Sequence, residues 1–219
     1  VTLAGVLRVT RAQLASRLGE PWHQDESGAW RQTGFCVLGL GGLGGQEVDF
    51  SPEVGVLFVY ADEGVVFREP PGPKAKAAAS AMASHQFFKR LCEAFLGDVG
   101  AATPEGQLYR IHARLRPDGD SGPPARSLAG YEKHYAQPGQ TWERLMLLKA
   151  RPIAGDLTLG AEFLEMIQPF RYPRSPDPDL ASEVAATRRR MESEVIRGEV
   201  DRDIQRGRGG IREIGRAHV

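Results

Sequence analysis

The sequence predicts an α/β fold with a helical C-terminal part, and three observations carry that expectation. Gly34-Phe35-Cys36-Val37-Leu38-Gly39-Leu40 and Val54 to Tyr60 are short, continuous apolar runs, which is how a strand buried on both faces reads. Phe87, Leu91 and Phe95, with Phe88 and Cys92 beside them, recur at the spacing of one helix face. Gln107 to Arg116 alternates instead. Tyr109, Ile111, Ala113 and Leu115 fall on one side and Arg110, His112, Arg114 and Arg116 on the other, as expected of a strand with one basic face.

The other elements follow in order. Thr10 reads as the N-cap of a short amphipathic helix carrying Leu14 and Leu18, which Gly19 stops. A polar loop with Trp22 and Trp30 leads to the first strand. Gly41 to Gly45 is too rich in glycine for helix or strand and reads as a tight turn. Glu69-Pro70-Pro71-Gly72-Pro73 is a hard break, after which Lys74 to Leu96 reads as one long helix ended by Gly97. Pro117 to Pro124 is a loop. Beyond it, helices are expected over Ser127–Ala136, Thr141–Lys149, Asp156–Ile167 (Asp156 as N-cap) and Ala181–Ile196, with a proline-rich break between Pro169 and Pro178.

Composition narrows the function classes. At 219 residues, 41% hydrophobic and 26% charged, the chain has material for one large domain or a domain with an appendage, and wholesale disorder is excluded. Twenty-eight basic residues balance 28 acidic ones, which argues against a global nucleic-acid or membrane-surface binder. Cys36 and Cys92 suggest neither a disulfide framework nor a zinc site and read as buried thiols in a reducing compartment. No apolar run approaches the roughly 18 residues of a membrane span, and the start at Val1 lacks a signal-peptide pattern. The expectation is a soluble, cytoplasmic protein.

Gly39, Gly41 and Gly44 have the Gly-x-Gly-x-x-Gly spacing of a dinucleotide site, but Gln46 to Tyr60 reads as strand where that fold needs a helix. A glycine pair after a strand lets backbone N–H groups approach a phosphate. A purely structural turn fits the glycines equally well. The wider pattern says more. The string from Gly39 to Ser51 is followed by Arg114-Leu115-Arg116-Pro117, Ser121-Gly122-Pro123, Trp142-Glu143-Arg144, Lys149 to Asp156, Pro169-Phe170 and Gly209-Gly210-Ile211-Arg212-Glu213-Ile214. In order and spacing this resembles, over nearly the whole chain, the nucleotidyltransferase domain of glutamine synthetase adenylyltransferases. Those are bifunctional enzymes that attach AMP to glutamine synthetase and remove it. The last segment is more similar to their N-terminal, adenylyl-removing half. The resemblance implies a nucleotidyltransferase-type mixed sheet with flanking helices over residues 1–156. It also implies a helical C-terminal extension over 157–219, the start of a following bundle.

The resemblance also assigns the chemistry. Enzymes of that family bind two divalent metals through three carboxylates, two at i and i+2 on one strand and a third on its neighbour. Carried over, the first position is Glu53, the second Gly55 and the third, two residues before Arg114, His112; the motif lysine is replaced by Gly42. One acid of three remains. This implies a degenerate member without metal-dependent transfer, with no metal site and no cofactor. Gly44, Gly45, Ser51, Arg110, Arg114 and Arg116 are then candidates to hold a phosphate or nucleotide without metal. The alternative is an active adenylyltransferase or adenylyl-removing enzyme with an altered metal site, requiring Mg²⁺ and ATP or ADP. Glu47, Asp49 and Asp62 are its candidate substitute ligands. Read alone, His112 also suits an ordinary surface histidine. Glu143, Arg144, Lys149 and Arg151 suit ion pairs that tie helices to the core, and Arg188-Arg189-Arg190 suits a solvated helix face. The expected partner is glutamine synthetase or another protein, not nucleic acid or a membrane, with a homodimer through the Ala181–Ile196 helix as a further expectation.

Overall fold

A computed structural model describes residues 2–47, 53–78, 81–104, 106–107, 109–136, 140–174, 182–186 and 189. The elements run α1 (Thr2–Leu18), β1 (Glu20–Gln24), β2 (Trp30–Gln32), β3 (Phe35–Gly39), α2 (Gly41–Gly45), β4 (Glu53–Tyr60), β5 (Val65–Phe67), α3 (Ser84–Gly100), β6 (Ala102–Thr103), β7 (Gly106–Gln107) and β8 (Arg110–His112). A 3₁₀ turn (Gly119–Ser121), β9 (Ala125–Ser127), α4 (Leu128–Tyr135), α5 (Thr141–Leu147), β10 (Arg151–Gly155), α6 (Leu157–Met166) and α7 (Gln168–Arg171) follow. The α/β class is as expected.

The two apolar runs form the centre of the main sheet. Every residue of β3, and of β4 after Glu53, is buried, because helices cover both faces. The strand order is β10-β3-β4-β8, with β9 also on β4. β10 and β4 run antiparallel to β3, while β8 and β9 run parallel to β4 along one edge. The sheet is therefore mixed.

Side chains alternate across β4 into two cores. Val56, Phe58 and Tyr60 pack with Phe87, Phe88, Leu91 and Phe95 of α3 and with Leu3 and Leu7 of α1. Phe88 stacks on Phe35 and Tyr60, with ring centroids 5.1 and 4.7 Å away. On the other face, Leu57 and Val59 pack with Tyr131 and Tyr135 of α4 and with Leu159, Phe163, Ile167 and Phe170. The Tyr131 hydroxyl donates to the Phe58 carbonyl at 3.1 Å, so the buried phenol is satisfied. The expected boundary at 156 falls at the N-cap of α6, whose Asp156 carboxylate accepts from the N–H groups of Thr158 and Leu159. Both α6 and α7 lie on the sheet's second face.

Several local expectations need correction. Thr10 is not an N-cap: α1 begins eight residues earlier, and the buried Thr10 hydroxyl donates to Asp98 Oδ2 at 2.6 Å. Gly41 to Gly45 is a short helix rather than a turn. Lys74 to Ala78 is turn and coil, and α3 starts at Ser84 and runs through Gly97 to Gly100. The polar loop with Trp22 and Trp30 is two strands, which join β5 in a separate three-stranded sheet ordered β2-β1-β5. Arg151–Gly155, unassigned between two expected helices, is a strand.

The thiols of Cys36 and Cys92 are free and buried, and burial pushes Cys36 up to about 12. No helix among the described residues is long and apolar enough to cross a membrane. Of the expected Ala181–Ile196 helix, 182–186 and 189 are described and helical. Arg188, Arg190 and the Gly209–Ile214 segment lie outside the described residues, as does most of the helix to which the homodimer was assigned.

Candidate functional site

The parallel pairing of β4 with β8 builds the site. It sets Glu53 opposite Arg110 and Gly55 opposite His112. The three positions assigned to metal carboxylates therefore meet on one patch of the sheet. What fills the patch is not a metal-ligand set. Glu53 Oε1 accepts a hydrogen bond from Arg114 Nη2 and lies 3.9 Å from His112 Nε2. A Cβ placed on Gly55 would sit 3.3 Å from His112 Cε1 and 3.4 Å from Leu115 Cδ1. An imidazole and a leucine thus occupy the space into which a side chain at position 55 would project. Burial holds His112 below the ordinary imidazole value, against the opposing pull of Glu53. His112 Nδ1 is buried and has no hydrogen-bond partner among the described residues.

A hard dication needs oxygen ligands that bring negative charge. The patch offers one carboxylate already engaged by a guanidinium, a residue with no side chain, and a half-buried imidazole. These residues do not fit two divalent metals. Of the candidate substitutes, Glu47 pairs with Lys149 Nζ at 2.6 Å, and Asp62 accepts from the Glu63 N–H at 2.7 Å. Asp49 lies outside the described residues.

The six anion-binding candidates divide. Ser51 lies outside the described residues. The Gly44 N–H is spent within α2 on the Leu40 carbonyl at 3.2 Å. A Cβ on Gly44 would stand 1.9 Å from the Lys149 carbonyl oxygen, so glycine here serves close packing. The Lys149 side chain lies over Gly45, with Cδ 3.0 Å from where that residue's Cβ would be. Arg110 is exposed, and Arg114 is 59% exposed beyond its contact with Glu53.

Arg116 is not on a basic strand face. The strand is only Arg110–His112, after which the chain twists and carries Leu115 onto the side of His112. The Arg116 guanidinium folds inward, donating to the Ala113 carbonyl at 2.5 Å and to the Gly122 carbonyl at 3.3 and 3.4 Å. It bridges the end of β8 to the residues just before β9, closing the excursion between two short strands that share one edge of β4. Arg116→Ala is expected to lower stability by about 2–3 kcal/mol in urea denaturation, because two carbonyls lose a charged donor. Arg110→Ala is expected to stay within about 0.5 kcal/mol.

Arg126 of β9 was not foreseen as part of this region. It stands opposite Val59, hydrogen-bonds Asp118, and keeps a buried Nε without a partner among the described residues. An arginine just after a Gly-Pro-Pro loop was the available signal. The other motif residues hold the frame. Glu143 binds His134, Arg144 donates to the Phe170 carbonyl at 2.9 Å, and Arg151 donates to the Gly44 carbonyl at 2.9 Å.

A family model described as glutamate-ammonia ligase adenylyltransferase matches residues 1–166. A bifunctional glutamine synthetase adenylyltransferase/adenylyl-removing enzyme of Thioalkalivibrio sulfidiphilus is 35% identical over 202 residues, covering 92% of this chain and 19% of that protein. A protein of the same name from Stenotrophomonas maltophilia is 36% identical over 190 residues, covering 87% of this chain and 19% of its own. One from Pseudomonas aeruginosa is 34% identical over 180 residues, with 82% and 17% covered. The chain spans about a fifth of the length of these relatives.

Proposed function

The chain belongs to the glutamate–ammonia ligase adenylyltransferase family, and on that premise we propose that it is a degenerate nucleotidyltransferase domain that has lost metal-dependent adenylyl transfer. The observation that carries this reading is the convergence of Glu53, held by Arg114, with Gly55 and His112 at one point of the sheet. In-line transfer at phosphorus depends on metals to stabilise the attacking and leaving oxygens, so a site that cannot hold them loses orders of magnitude in rate. Glutamine synthetase, on which the relatives act by name, is the protein partner this reading assigns. A cytoplasmic location goes with it.

A second reading is favoured by the two exposed guanidiniums of Arg110 and Arg114 beside the vacated carboxylate positions: the patch retains a phosphate group without metal. One experiment tests both. The chain is assayed for AMP transfer to and from glutamine synthetase, alongside thermal shifts with inorganic phosphate, ATP and ADP, each with and without Mg²⁺ or Mn²⁺. The expected result is no turnover, with any stabilisation independent of metal. A ligand at a hundredfold over its Kd adds about 2.7 kcal/mol. Metal-dependent stabilisation together with AMP transfer would instead establish the active-enzyme alternative.

A further inference from the structure

Four of the five residues of α2 are glycine, and the sequence gives this helix almost nothing to stand on. Each glycine disfavours helix about fivefold relative to alanine. Five residues also fall well short of the about 12–15 at which an isolated helix becomes even marginal. The helix must be held from outside: Gly44 packs against the Lys149 carbonyl, and the side-chain hydrogen bonds come from Arg151 and Lys149. Arg151 donates from Nε to the Gly44 carbonyl at 2.9 Å and from Nη2 to the Leu43 carbonyl at 3.4 Å. These are carbonyls of the last turn, which have no partner within the helix, at the end where the helix dipole favours a cation. The neighbouring Lys149–Glu47 pair is 28% and 44% exposed and adds little. Leu43 supplies the one apolar side chain, packed over Gly39 beside Ile153.

We infer that Arg151 is the positioning residue of the glycine helix, and that residues Gly41 to Glu47 open as a unit distinct from the sheet, hinged at Leu40. The hinge is marked by the Leu40 N–H, which donates to the Gly55 carbonyl at 2.9 Å and ties the base of α2 to the candidate site. Opening uncovers the strand ends beside Gly55 and withdraws only Leu43 from the margin of the first core, since α2 rests on β3, β4 and β10. The fold therefore contains a latch next to the site, closed by a side chain from an otherwise structural strand. This goes beyond the functional reading above and does not depend on it.

Hydrogen exchange on the whole chain tests the inference. In the unaltered protein, the amides of Gly44, Gln46 and Glu47 are expected to exchange faster than those of Phe88, Leu91 and Cys92 in α3, while the Leu40 amide stays protected. Arg151→Ala is expected to speed the first group by about 10–100-fold relative to α3, the range a lost charged hydrogen bond spans. Arg151→Lys is expected to fall between. The inference is overturned if the α2 and α3 amides exchange together in the unaltered protein, a comparison that requires no variant to fold. It is equally overturned if Arg151→Ala leaves the ratio between the two groups unchanged.

Discussion

Glu143→Ala is expected to destabilise the fold by about 2–3 kcal/mol, the cost of removing a buried charged acceptor that serves two partners. The Glu143 side chain is only 4% exposed. Its Oε1 lies 2.8 Å from His134 Nε2, and its Oε2 accepts from the Gln140 N–H at 3.0 Å. One carboxylate therefore joins α4 to α5 and completes the capping box at the start of α5. Alanine removes both acceptors at once, orphaning a helix N-terminal donor and a histidine beside Tyr135, on whose ring Phe170 stacks at 4.6 Å. Glu143→Gln keeps an acceptor and the side-chain volume, so its loss should be clearly smaller. Urea midpoints of the two variants, at unchanged m-value, separate them. A loss below about 1 kcal/mol for alanine would mean that the pair is hydrated and weak, like a surface bridge.

Continuous apolar runs announce β3 and β4 because helices cover both faces of the sheet, and Asp156 and Ser127 announce helix starts because capping is local chemistry. Local pattern misleads where the deciding partner is far away in sequence. The Thr10 hydroxyl looks like a cap until Asp98, 88 residues on, takes it. The alanine-rich stretch before Ser84 has helix propensity but no apolar stripe, and α3 begins only where Phe87 and Phe88 have a sheet to meet. Arg151–Gly155 carries Pro152 and hides as a strand because it lies at the sheet's edge, where proline is tolerated.

The same division holds at the site. Period-two reasoning placed Arg110 and His112 on one face, and the β4–β8 register brings His112 to Gly55. It also placed Arg114 and Arg116 on that face and Leu115 on the other. The strand ends at His112, so Leu115 crosses over and Arg116 turns inward. Where a short strand stops is decided by its neighbours, here the Ala113 and Gly122 carbonyls that Arg116 bridges, and not by its own alternation.

That crossing makes the two lost carboxylate positions physically interdependent, which gives the second large effect. Gly55→Asp alone drives a side chain into the His112 ring and the Leu115 methyl, contacts of 3.3 and 3.4 Å already at Cβ, and should cost stability. His112→Asp alone opens that space but adds a carboxylate next to Glu53 with Arg114 as its nearest counter-charge. Together they relieve each other, so their effects should be non-additive by about 1–3 kcal/mol in a double-mutant cycle. With Glu53→Asp added, three carboxylates converge where the β4–β8 register already sets the backbone. Arg114 cannot neutralise all of them, and a divalent ion becomes the favourable occupant. The triple variant is expected to gain a thermal shift of several degrees with Mn²⁺ or Mg²⁺ at a hundredfold over Kd, a response absent from the parent and from each single variant. A folded triple variant that ignores both metals would mean that the backbone itself has drifted from metal-binding geometry. The change in this domain would then run deeper than three side chains, because the sheet edge and not its decoration would be what excludes the ions.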